Sequence, residues 1–143
     1  MIGWLKRAGR DASVDLRHDI HRELVVLRER APEITGALTC TVDGMLVTTD
    51  LSTGNGAGTG TGTEQTAALT SALLSLSRKM TDLAQIGRLE ETLVSAAQGH
   101  TACYAAGPTL VLTVLAGPGA NLGLLRIEGR RAADRIAAIA GRG

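Results

Sequence analysis

The chain has 143 residues, enough for one domain that removes about two-thirds of its unfolded surface from water and too few for two comfortable cores. Fifteen Lys and Arg against 14 Asp and Glu give a formal charge of +1, which supplies no overall field to steer the chain toward nucleic acid or an anionic membrane. With no Phe, one Trp and one Tyr, the aromatic platforms on which bases stack are missing too, so nucleic acid is not expected as a partner.

The N-terminus, MIGWLKRAGR, carries Lys6, Arg7 and Arg10 but no following apolar run, so it does not read as a signal peptide. Residues 1–12 are expected to be a flexible tail, and residues 13–141 a single domain. Over residues 12–30, Leu16, Ile20, Leu24 and Leu27 recur at helical spacing, and Pro32 ends the segment. His18 and His21 lie on its other face with Val14 and Val25. Without a third ligand at a companion spacing they read as a solvated or partner-facing pair rather than a metal site.

The run ITGALTCTVDGMLVTTD holds two β-prone stretches around Asp43-Gly44, a strong hairpin signal. Residues 52–62, STGNGAGTGTG, follow. They lack the Lys of a phosphate-cradling loop and the regular glycines of a dinucleotide turn, so a disordered linker is expected.

Residues 61–87 form the longest predicted helix, opened by Thr61 and Glu64 at capping-box spacing and closed by Gly87. Leu69, Ala72, Leu73, Leu76, Met80, Leu83 and Ala84 share one broad apolar stripe. Leu74 falls off it, with no evident burial against the helix's own sheet, and is left for a partner to cover.

Three strands are predicted next, at residues 89–95, 100–105 and 110–116. Glu90 and Glu91 mark the first as an edge, while LVLTVLA is apolar on both faces and belongs at the centre. A last helix over residues 122–140 is capped by Asn121. Its inner stripe includes Gly129, Ala132 and Ala133, small enough to let it lie close to the sheet. Arg126, Arg130, Arg131 and Asp134 fall outside that stripe.

Cys40 and Cys103 each sit in an apolar strand and lack metal or redox spacing; they read as buried, reduced thiols of a cytoplasmic protein. The histidines at 18, 21 and 100 stand with no nucleophile or acid pair, so no enzyme and no cofactor or metal is expected. The architecture expected is α+β in the order αββαβββα: a five-stranded antiparallel sheet with the long helix on one face and the other two on the opposite face. The edge strand and the long helix would then form a self-complementary surface for a two-fold homodimer.

The Asp43-Gly44 hairpin with Met45-Leu46-Val47 after it, the LVLTVLA strand, and the turn ending in Asn121-Leu122-Gly123 together resemble the roadblock family of dynein light chains and their bacterial relatives. The resemblance covers about residues 16–140. It departs from the family in its long Gly/Thr insert. It implies a cytoplasmic, non-catalytic homodimer that binds or regulates a small Ras-like GTPase, with any contact at the inner membrane peripheral and through partners. Bacterial relatives include activators of a polarity GTPase, and in actinomycetes similar proteins are encoded beside a sensor kinase, which makes the kinase a further expected partner. Carried onto this chain, the dimer contacts would be Leu69, Leu73, Leu76, Met80, Leu89 and Leu93. The GTPase contacts would be Leu74, Arg78, Lys79 and Asp82. Two other readings stand beside this one: a structural adapter, whose binding would ignore nucleotide, and a small-molecule sensor, which would need a wider apolar pocket.

Overall fold

The computed structural model describes residues 3–51 and 61–142; most of the expected linker, residues 52–60, lies outside the described residues. Helix α1 (Gly3–Arg30) is followed by strands β1 (Ile34–Thr41) and β2 (Leu46–Leu51), helix α2 (Thr61–Ala84), strands β3 (Thr92–Ala96), β4 (Gly99–Ala106) and β5 (Leu110–Ala116), and helix α3 (Leu122–Ala140). The five strands form one antiparallel sheet in the order β2-β1-β5-β4-β3. The expected order αββαβββα therefore holds, and LVLTVLA is the central strand.

Two cores flank the sheet. On one face α1 and α3 cover it, burying Leu16, Ile20, Leu24 and Leu27 of α1 against Ile136 and Ala133 of α3 and against Ile34, Leu112 and Val114. On the other face α2 covers a smaller cluster of Leu38, Cys40, Ala67, Leu74, Cys103 and Val111. Each of the inner strands contributes alternate residues to the two clusters, as a pleated sheet covered on both sides requires.

Four local expectations shift. Helix α1 starts at Gly3, so the boundary drawn at residue 12 falls inside it; Leu5, Lys6, Arg7, Ala8 and Arg10 are strong helix formers, and extending a formed helix needs no new nucleus. Helix α2 closes before Gly87, because Gln85 itself takes the left-handed backbone (φ 57°) and Ile86 N–H reaches back to the Thr81 carbonyl. The Asp43-Gly44 turn is wider than a two-residue hairpin: Thr41 and Met45 exchange bonds across it, Thr41 N–H to the Met45 carbonyl at 2.8 Å and Met45 N–H to Thr41 Oγ1 at 2.9 Å, with Gly44 at φ 93°. Strand β3 begins at Thr92 rather than residue 89, which removes Glu90 and Glu91 from the strand. Asn121 caps α3 as expected, its side chain accepting from Leu124 N–H at 3.1 Å.

Candidate functional site

Helix α2 is the element whose surface is least used by its own domain. Its inward row is Thr63, Ala67, Thr70 and Leu74, all buried. This row is small and partly polar, and it is satisfied on the sheet: Thr113 Oγ1 donates to Thr70 Oγ1 at 3.0 Å, and the Cys40 thiol points at the Ala67 carbonyl. Beside it Ser71 Oγ donates to the Val42 carbonyl, which ties one side of the helix to the β1–β2 turn.

Leu74, expected at the surface, lies inside this packing instead. It is 2% exposed and belongs to the core beneath α2, so it is not a surface contact. The stripe at 69, 73, 76 and 80 is the one turned away. Leu69 and Met80 are each 70% exposed, Leu76 is 61% exposed and Leu83 82%, while Leu73 is half-buried against the smaller core. Ile86, past the predicted stripe, is exposed as well. A single turn of the wheel explains the arrangement: residues 63, 67, 70 and 74 define one line, and the leucines lie about a third of a turn from it.

The other flank of α2 is charged. Arg78, Lys79 and Asp82 are exposed there, brought together on one side as the spacing predicts, without Leu74. The two flanks face different surroundings. The apolar flank overlooks a part of the sheet that α2 leaves bare: a depression of about 340 Å³ lined by Leu69, Leu73, Thr101, Cys103 and Leu115. Leu93 and Val94 on the edge strand β3 are also partly exposed, while Leu89 is half-buried and packs on the core under α2. Leu115 and Thr101 could not be found from the sequence, because which end of the sheet a helix covers is set by its crossing angle rather than by any local pattern.

Burial shifts the two thiols under α2 and the phenol on the far side of the sheet, while a hydrogen bond shifts one exposed carboxyl. Desolvation pushes the Cys40 thiol up to about 12, with the Cys103 thiol and the Asp43 carboxylate adding to the shift. Cys103 is likewise raised by burial, against hydrogen bonds from Thr113 and Thr70. Tyr104 is raised by burial first and by neighbouring Glu91 next. The Asp43 carboxyl is lowered by its Thr41 hydrogen bond. Among the described residues no group of three or more His, Cys, Asp or Glu comes together as a metal site would need, His18 is exposed and His21 half-buried, and no helix is long and apolar enough to cross a membrane.

Against known proteins, the Roadblock/LC7 domain family matches residues 20–116. A Methanocaldococcus jannaschii protein, the uncharacterized MJ0310, is 31% identical over 106 residues, covering 74% of this chain and 87% of its own. In three dimensions the fold is similar to gliding protein MglB from Thermus thermophilus (TM-score 0.79, 16% identity, 90% of this chain and 93% of that one). It is also similar to a Roadblock/LC7 domain from Streptomyces avermitilis (TM-score 0.70, 24% identity, 81% and 92%). The family match spans both faces of the sheet, from α1 to the end of the central strand, and on that ground the chain belongs to the Roadblock/LC7 family.

Proposed function

We propose that this protein is a non-catalytic, homodimeric regulator or scaffold that binds a small Ras-like GTPase and modulates its activity or placement in a bacterial signalling system. The observation that carries the reading is the division of α2 into a buried row, an exposed apolar flank and an exposed charged flank. A helix with an exposed row of Leu69, Leu76, Met80 and Leu83 is unsuited to stay in water alone, since a continuous apolar surface of this kind marks an interface. Continuity with the bare end of the sheet and the β3 edge makes a second copy the natural cover for it. Arg78, Lys79 and Asp82 would then remain free beside the paired helices, where they offer charge complementarity to a second kind of protein. Membership of the Roadblock/LC7 family and the fold likeness to MglB both support a partner of the GTPase class.

The test is capture from a lysate of the source organism on the immobilised protein, run in parallel with GDP and with a non-hydrolysable GTP analogue. Recovery of a small GTPase in one nucleotide state and not the other is the expected outcome. Capture that is indifferent to nucleotide would make the protein a plain adapter.

A further inference from the structure

A second feature lies where α2 ends. Arg78 of α2, Arg88 of the 85–91 link and Arg130 of α3 line one cleft of about 560 Å³ that wraps around the sheet at the end of β4. The β3–β4 ladder stops at the Thr92–Cys103 pair, so no strand covers Ala105 and Gly107, and the small size of these two residues leaves the floor low.

The guanidiniums in this cleft are not ion-paired, and three arginines against the two carboxylates of Glu90 and Asp134 leave it a formal excess of positive charge. Elsewhere on α3 each arginine has a carboxylate: Arg126 pairs with Glu91, Arg131 with Glu128 and Arg135 with Glu23. In the cleft, by contrast, the side chains of Arg78 and Arg88 form no ion pair among the described residues. Arg130 donates to a backbone carbonyl, that of Glu90 at 2.9 Å, and lies over the Tyr104 ring at 5.9 Å. Those two contacts hold its guanidinium without an ion pair and leave further N–H donors to meet a ligand. Glu90 and Asp134 also line the cleft, and neither carboxylate is ion-paired among the described residues.

This mixture selects among anions. Two carboxylates in the wall would repel a compact dianion such as a phosphate, and the exposed Ile86 beside them offers apolar contact that a phosphate does not use. A polypeptide carrying spaced carboxylates meets all three demands: its acids to the guanidiniums, its backbone N–H groups to Glu90 and Asp134, its apolar side chains to Ile86. We propose that the cleft bounded by Arg78, Arg88 and Arg130 is a docking site for an acidic segment of a partner polypeptide. In naming the GTPase as the source of that segment, the inference rests on the regulator reading above.

The probe is a fluorescein-labelled octapeptide alternating glutamate with leucine, titrated into the intact protein and followed by anisotropy and by backbone amide shifts. Its glutamine analogue and inorganic phosphate serve as comparisons. The expected result is salt-sensitive binding of the glutamate peptide, shifts confined to residues 78, 86–91, 105–107 and 130–134, and a loss of about tenfold or more in affinity for the double variant R78E/R88E. Both positions are exposed and unpaired among the described residues, so the variant should keep its circular dichroism and its oligomeric state. Equal binding of the glutamine analogue, undiminished binding by R78E/R88E, or shifts elsewhere would overturn the site. Displacement of the peptide by phosphate at matching concentrations would make it an oxyanion site instead. In the nucleotide capture, wild type retaining the GTPase while Arg88→Glu, which leaves the charged flank of α2 intact, loses it supports the assignment; retention by both removes the GTPase as occupant of the cleft and leaves the regulator reading standing. Failure of wild type to capture any GTPase, with the peptide still docking, would overturn the regulator reading alone.

Discussion

Cys40 is fully buried beneath Ala67, and its ionisation pits a thiolate against the loss of water around it. Its ordinary value of 9.0 rises to about 12 in the fold. The unfolded chain therefore releases this proton first as pH climbs, so the thiol's contribution to stability is complete below pH 9 and is lost progressively as pH approaches 12. Cys103, raised in the same direction by burial, adds to that loss. Native protein should thus leave both thiols unreactive toward a disulfide reagent at pH 8 to about 9, with full reaction on adding denaturant. Fast modification without denaturant would show that this core opens on its own. Gly129 of α3 faces the ring of Tyr104 with no room for a side chain. A Cβ there would stand 2.7 Å from the ring of Tyr104, which is locked in the core and cannot swing aside. Gly129→Ala should cost about 1–3 kcal/mol by overpacking, despite the better helix propensity of Ala, and a chemical denaturation midpoint at or above wild type would refute it.

In helix α2 the pattern of apolar residues and the face that is buried part company. Spacings of three and four reveal the helix and its leucine stripe, and the two-faced apolarity of LVLTVLA correctly places β5 at the centre of the sheet. They do not reveal which side of α2 faces inward. A reading by hydrophobicity favours the greasier row, yet the buried row here is Thr63, Ala67, Thr70 and Leu74, made tolerable by the Thr70–Thr113 hydrogen bond and by close approach of small residues. Hydrophobicity misplaces Leu74 for that reason. The arginine cleft is equally hidden, because Arg78, Arg88 and Arg130 meet only once β3 has been shortened and the 85–91 link turned by left-handed residues at 85 and 87. Leu74→Ala should consequently behave as a core truncation, lowering stability by about 2–5 kcal/mol, whereas Lys79→Ala on the outer flank should change it by about 0.5 kcal/mol or less. Urea titrations of the two variants giving equal midpoints would mean that α2 is rotated from the position described.

For the whole molecule the question is what covers the surface that the fold leaves apolar. Strand β3 ends the sheet and exposes its outer edge, a liability that natural sheets usually mark with charge. Glu90 and Glu91 look like such marks in the sequence, but they precede β3, and Glu91 is held by Arg126. The strand itself, TLVSA, bears no charge, and nothing in it opposes pairing with a second copy. Edge pairing would set the two α2 helices over one extended sheet, with each outer row close to its neighbour. Leu76→Glu tests this without confusing assembly and folding. Leu76 is 61% exposed in the single chain, so a carboxylate there remains hydrated in the monomer and should leave its circular dichroism intact. In a dimer the same carboxylate would be buried without a partner, at a cost of several kcal/mol for each copy. Light scattering should therefore find wild type as a dimer and Leu76→Glu as a folded monomer, with the wild-type melting temperature alone rising with protein concentration. Leu74→Glu, by comparison, should fail to fold, since its charge has no hydrated alternative. A Leu76→Glu protein that stays dimeric would move the interface off the outer row of α2 and leave that row for another partner.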